Sequence, residues 1–78
     1  MITSEQIRSA RAALDWSIEE LASASAISSR TIMRIEATAG VPRRTKANLN
    51  AIKTALEAAG IEFIGTPDDR PGIRINTR

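Results

Sequence analysis

Residues 17–36 read SIEELASASAISSRTIMRIE, and the spacing of apolar side chains in this stretch decides the fold. At about 100° per residue, a helix begun at Ser29 turns Ile32 and Ile35 to one side, with Thr31 beside them. Ser29, Arg30, Met33 and Arg34 turn to the other side. One face is apolar; the opposite face carries two arginines, a small hydroxyl and a methionine. Ser28 is placed to cap this helix, which is predicted from Ser29 to about Ala37, with Ile27 stapled to Ile32. Just upstream, Ser17-Ile18-Glu19-Glu20 is a capping box flanked by Trp16 and Leu21 at the staple positions. It starts a shorter helix that ends near Ser25.

The same devices extend in both directions. Thr3-Ser4-Glu5-Gln6 is a second capping box, with Ile2 and Ile7 as its staple. It predicts a first helix from Ser4 to about Leu14 that buries Ile7, Ala10 and Leu14. Downstream, Gly40, Pro42 and the PRRT run form a loop. Thr45 then caps a fourth helix from Lys46 to about Ala59, with Leu49, Ile52 and Leu56 on one face. Gly60 stands where a left-handed residue ends a helix. Beyond it the period changes from helical to alternating: IEFI and IRIN read as short strands around the turn-rich GTPDDRPG. An isolated hairpin is marginal in water, so these strands must pack on the helices or pair with another chain. The terminal NTR is expected to fray. The fold class is therefore mainly α: a compact four-helix domain over residues 4–60, then a C-terminal β tail over 61–78.

Composition narrows the function. The chain has 78 residues, no cysteine and no histidine. That rules out disulfides and removes the commonest general base and metal ligand. Thirteen of its apolar residues are alanine, so eleven isoleucines and four leucines make up most of the core. A core that small favours dimerisation. The start MITSEQIRSA lacks a basic segment followed by a long apolar run, so no signal peptide is expected. No stretch approaches the roughly 20 apolar residues of a membrane span. The expected location is the cytoplasm, without membrane contact. Net charge is only +2, but residues 41–60 hold Arg43, Arg44, Lys46 and Lys53 against Glu57 alone. An anionic partner feels such a local excess.

Two short helices joined by about three residues, the second with a basic outward face, make a helix-turn-helix arrangement. IRSARAALDWSIEELASASAISSRTIMRIE resembles the lambda-repressor-like, or Xre-type, helix-turn-helix family. Its members commonly read I-R-x-x-R, then S-Q-x-x-L-A, then G-V-S-x-x-T-I-x-x-I/L-E. The matching residues are Ile7, Arg8, Arg11, Ser17, Leu21, Ala22, Ser28, Thr31, Ile32, Ile35 and Glu36, and the resemblance covers residues 4 to about 59. Two positions depart from the family pattern. The glutamine after the second helix cap is Ile18 here, which removes one phosphate or buttressing contact but leaves the helix N-terminal amides for phosphate. The turn glycine is Ala26, at a position that wants positive φ and costs alanine roughly 1 kcal/mol or more; either the turn differs slightly here or the penalty is tolerated.

The resemblance implies sequence-specific DNA binding with helix 29–37 in the major groove. Arg30 or Arg34 then gives a bidentate contact to guanine, Ser29 reaches a base edge or phosphate, and Met33 touches a thymine methyl. Arg43, Arg44 and Lys46 lie along the phosphate backbone. Thr31 has a mixed packing and phosphate role, while Ser17 and Ser28 are caps that can add a phosphate contact. Arg11 and Glu36 are implied to form a partly buried ion pair, and Arg8 is expected to be exposed. For each outward cation the plainer reading is a solvated face. Partners implied are double-stranded DNA, a second copy of the chain, and RNA polymerase or a regulatory protein. The alternative is a protein-binding module of antitoxin or antiactivator type, which has no need of two outward arginines. Each carboxylate has an ordinary explanation and no catalytic companion, so the chain is not expected to be an enzyme. No metal or cofactor is expected. Pairing the tail strands between subunits would bury Phe63, Ile64, Ile73 and Ile75; a hairpin folded back on its own helices is the alternative.

Overall fold

The computed structural model describes residues 2–38 and 46–76. Element order is α1 (Ser4–Ala13), α2 (Ile18–Ser25), α3 (Ser29–Ala37), α4 (Lys46–Ala58), β1 (Ile61–Thr66) and β2 (Asp69–Ile75). The molecule is mainly α, with a two-stranded antiparallel sheet at its C-terminal end. Both capping boxes form. Thr3 Oγ1 accepts from the Gln6 N–H (3.1 Å), and Gln6 Oε1 accepts from the Thr3 N–H (2.8 Å). Ser17 and Glu20 repeat the exchange at α2, and Ser28 caps α3. Thr45, read as the α4 cap, and the loop around Gly40 and Pro42 lie outside the described residues.

The isoleucines converge. Ile7, Ala10, Leu21, Ile32, Ile35, Leu49, Ile52, Leu56 and Ile61 are buried together with Ile2, and Leu14, Trp16 and Ile27 pack on their margin. Leu14 is half-buried because α1 stops one residue before it, and Asp15 turns into the left-handed region (φ 57). Ala26 also adopts left-handed geometry (φ 60, ψ 27). The sharp turn between α2 and α3 is thus made without the glycine that would adopt it at no steric cost.

The tail departs from its sequence reading. The strands run further into GTPDDRPG than expected, leaving Pro67 and Asp68 as the turn. A bulge between Ile64 and Thr66 makes this possible. Gly65 (φ +76) sits there against the Arg70 carbonyl, where a Cβ would come within 2.2 Å of its oxygen, and Arg70 is itself left-handed. Pro71, which cannot donate to a ladder, follows in the irregular segment where its missing N–H is tolerated. The strands pair with each other within the chain. β1 lies against α4 and β2 against α1, with Ile61 in the helical core and Phe63 and Ile73 packed on it. Ile64 turns to the other face over Gly72, and Ile75 is 54% exposed. At its end, the Asn76 N–H donates to the Gly60 carbonyl (2.7 Å).

Gln6 fixes the hairpin to the helices. While its oxygen caps α1, its Nε2 donates to the carbonyls of Ile64 (3.1 Å) and Gly72 (2.8 Å), one in each strand. Gln6→Glu keeps the cap but replaces both donors with a carboxylate beside two carbonyl oxygens. Chemical denaturation is expected to show a loss of about 2 kcal/mol or more. Ala26→Gly, by contrast, relieves the left-handed strain. After allowance for the added freedom of the unfolded chain, it is expected to stabilise by about 0.5–1 kcal/mol, read as a raised denaturation midpoint.

Candidate nucleic-acid interface

α3 divides as the spacing requires. Ile32 and Ile35 are fully buried, Ser29 and Thr31 are half-buried, and Arg30, Met33 and Arg34 are exposed, Met33 to 51%. The Ser28 hydroxyl accepts from the Thr31 N–H (3.2 Å) and donates to Thr31 Oγ1 (2.9 Å). The helix entrance is therefore tied to its own first turn, with Ser28 and Thr31 committed to each other. At the entrance to α2, Ser17 is engaged by Glu20 through both its N–H and its hydroxyl. Lys46 is exposed at the first residue of α4, while Arg43 and Arg44 lie outside the described residues.

What holds α3 is α1. Ser4 Oγ, completely buried, donates to the Ile35 carbonyl (2.7 Å). Arg8 donates through Nη1 to the Glu36 carbonyl and lies 3.6 Å from Glu5. Arg11 forks onto the Glu36 carboxylate, with Nε to Oε2 at 3.0 Å and Nη2 to Oε1 at 2.9 Å, and its Nη1 reaches the Trp16 carbonyl at 3.0 Å. The Glu36 side chain is 6% exposed and that of Arg11 24%. The hydrogen bond to Glu36 raises the Arg11 pKa above its ordinary value against the opposing effect of burial, and the Glu36 and Glu19 charges add to the rise. A fork of this kind suits guanidinium and not ammonium.

The ion pair between Arg11 and Glu36 was thus legible in the family pattern; the parts of Ser4 and Arg8 were not. Ser4 counted only as a capping-box residue and Arg8 as an exposed cation. The one signal in the sequence was a small hydroxyl at the first position of a helix that must meet another helix's end.

The described arginines fall into two kinds. Arg8, Arg11, Arg70 and Arg74 each sit beside a carboxylate. Arg30 and Arg34 have no hydrogen-bond or ion-pair partner among the described residues. They stand one helical turn apart, with Met33 next to both in the i+3 and i−1 positions. Among the described residues no group of three His, Cys, Asp or Glu side chains could hold a metal, and no helix is long and apolar enough to cross a membrane. No family model matches the chain, and no curated protein matches it.

Glu36→Gln leaves the Arg11 guanidinium without its carboxylate. The expected loss is about 2–3 kcal/mol by chemical denaturation, less than the roughly 3–5 of a fully buried pair because Arg11 keeps some solvent. A raised arginine pKa contributes stability that is present below the unfolded value and is lost only as pH rises through the folded one. The Arg11 contribution is therefore expected to stay constant from neutral pH through the range in which arginine remains charged.

Proposed function

We propose that this chain is a sequence-specific DNA-binding regulator of the lambda-repressor-like helix-turn-helix type. It binds as a dimer to a palindromic site, with α3 in the major groove. The observation that carries this reading is the pair Arg30 and Arg34, exposed and unpartnered among the described residues on a helix held rigidly from behind. Elsewhere the chain neutralises its described arginines in place. Leaving two charges free on one helix face makes sense toward an anionic surface.

The guanidinium fork matches guanine O6 and N7, and Met33 beside it offers an apolar contact for a thymine methyl. Ser29, half-buried at the first turn, is within reach of a base edge or a phosphate when the N-terminal end of α3 enters the groove. Ser28 and Thr31 serve the helix entrance first, with phosphate contact as an addition. Ser17 contributes its cap, and the acidic pair Glu19 and Glu20 beside it makes that end of α2 a poor place for phosphate. Arg43, Arg44 and Lys46 supply salt-dependent backbone attraction. The dimer doubles the recognised length, since one helix spans few base pairs and family members read two half-sites about one helical turn apart.

The test is binding to the DNA upstream of the protein's own gene across a salt series, with Arg30→Ala alongside. The expected result is sequence-selective binding that weakens as salt rises and that loses about 1–3 kcal/mol in the variant. Weak binding equal on every DNA and unchanged by Arg30→Ala would contradict base reading and favour the protein-binding alternative.

A further inference from the structure

The hairpin leaves one strand edge open, and the alternation of its ladder identifies the groups on that edge. In an antiparallel pair, bonded and non-bonded residue pairs alternate. The bond from Asn76 N–H to the Gly60 carbonyl sets the phase. Glu62 with Arg74 and Ile64 with Gly72 are then the bonded pairs, and Ile61 with Ile75 and Phe63 with Ile73 the non-bonded ones. The main-chain N–H and C=O groups of Ile73 and Ile75 therefore point away from β1. Among the described residues they meet no partner. The corresponding edge of β1 is covered at Ile61, which is 2% exposed. The edge of β2 is open, with Arg74, Ile75 and Asn76 all exposed.

An open edge is a template for another strand. Pro71 and the bulge blunt its turn end only, and the one charged side chain beyond them among the described residues, Arg74, is turned to the outer face beside Glu62 (3.4 Å). Ile75 lies on the inner face in line with Ile61, Phe63 and Ile73, yet is uncovered.

We propose that the occupant of this edge is the β2 strand of a second copy, antiparallel, with Ile73 opposite the partner's Ile73. This deepens the dimer of the proposed function and rests on it for its use, while the open edge is a property of the hairpin itself. The register follows from charge. Only registers that set outward-pointing residues opposite one another can bond. Pairing Ile73 with the partner's Ile75 would place Arg74 opposite the partner's Arg74, and like charges directly opposite are destabilising. Centring the strands on Ile75, the last residue of β2, would leave Ile73 with nothing opposite it in the partner's β2 and Gly72 and Pro71 unused. Centring on Ile73 sets Arg74 opposite the partner's Gly72, so Arg74 keeps Glu62. The two Ile73 residues exchange bonds, and each Ile75 N–H meets the partner's Pro71 carbonyl, an acceptor that needs no proline N–H. On the inner face Ile75 covers the partner's Pro71. The strand is complementary to itself in this register, which is why a second copy fits it. The result is one continuous four-stranded sheet, the extension that a two-stranded hairpin lacks.

Sedimentation equilibrium of the full chain, free of DNA, tests this with two substitutions. Ile75→Pro removes an outward N–H while leaving every bond inside the hairpin, so its circular-dichroism spectrum should match the parent. The parent is expected to reach twice the 8.4 kDa chain mass as concentration rises, and Ile75→Pro to stay at the single mass. Because the chain has no cysteine, Ile73→Cys reports the register. Directly opposed strand residues lie about 5.5 Å apart, within disulfide range, so mild oxidation should give a covalent dimer. Ile75→Cys, far from its own counterpart in this register, should not.

A monomeric parent at every concentration overturns the proposal, as does a dimer that survives Ile75→Pro. Cross-linking through Ile75→Cys and not Ile73→Cys overturns the register. Loss of DNA reading by Arg30→Ala in a chain that stays monomeric would sink the edge pairing and leave the assignment of α3 standing. A dimer formed through β2 that ignores DNA would do the reverse.

Discussion

An α-helix ends in carbonyls that have no partner inside the helix, and in this protein α1 supplies partners for those of α3. Ser4 takes the Ile35 carbonyl, Arg8 takes the Glu36 carbonyl, and Arg11 grips the Glu36 carboxylate while reaching back to Trp16. Thr38 Oγ1 adds a bond to the Arg34 carbonyl (3.1 Å). Two guanidinium groups at this end also oppose the partial negative charge of the helix dipole. The consequence is geometric. α3 is fixed at its C-terminal end and along its buried isoleucine face, so nothing need be spent from its outward face to hold it. Arg30, Met33 and Arg34 are free for a partner because Ser4, Arg8 and Arg11 do the holding.

The hairpin is joined to the same frame through α1. Gln6, two residues after Ser4 and so on the side of α1 away from Ser4 and Arg8, bonds a carbonyl in each strand. The N-terminal half of α1 thus touches both ends of the proposed machinery, the helix that would face DNA and the sheet that would join two copies. In a chain this small the two tasks cannot be separated into domains; Ile61 of the sheet lies in the same core as Ile32 and Ile35 of α3.

Most of the helical frame was readable because local chemistry and tertiary need agree there. Thr3 with Gln6, Ser17 with Glu20, and Ser28 each announce a helix start, and each caps one. The isoleucines at helical spacing go inside. At Ala26 the sequence leaves open a different turn or a tolerated penalty, and its φ of 60 selects the second. What escaped depends on side chains acting at a distance in sequence. The use of Gln6 as a double donor to strands some sixty residues later is implied only by its being an amide and not a carboxylate. The hairpin was read with a long turn because Gly65, Pro67, Pro71 and Gly72 all look like turn residues. The structure uses Gly65 for a bulge, sets Arg70 and Pro71 opposite it, and keeps Gly72 beneath Ile64 in the ladder. For the candidate site, the exposed face of α3 follows from periodicity alone. That Arg30 and Arg34 lack partners among the described residues while Arg8 and Arg11 have them required the fold.

The central claim is that the outward face of α3 reads bases. The most direct measurement is selection of bound sequences from random duplex DNA by the parent and by Arg34→Gln, followed by sequencing of both pools. Glutamine prefers adenine where arginine prefers guanine. The expected result is an enriched palindromic motif containing guanine for the parent, and a motif changed at one symmetric position for the variant. Enrichment of no motif by the parent, or of the same motif by both proteins, would contradict it.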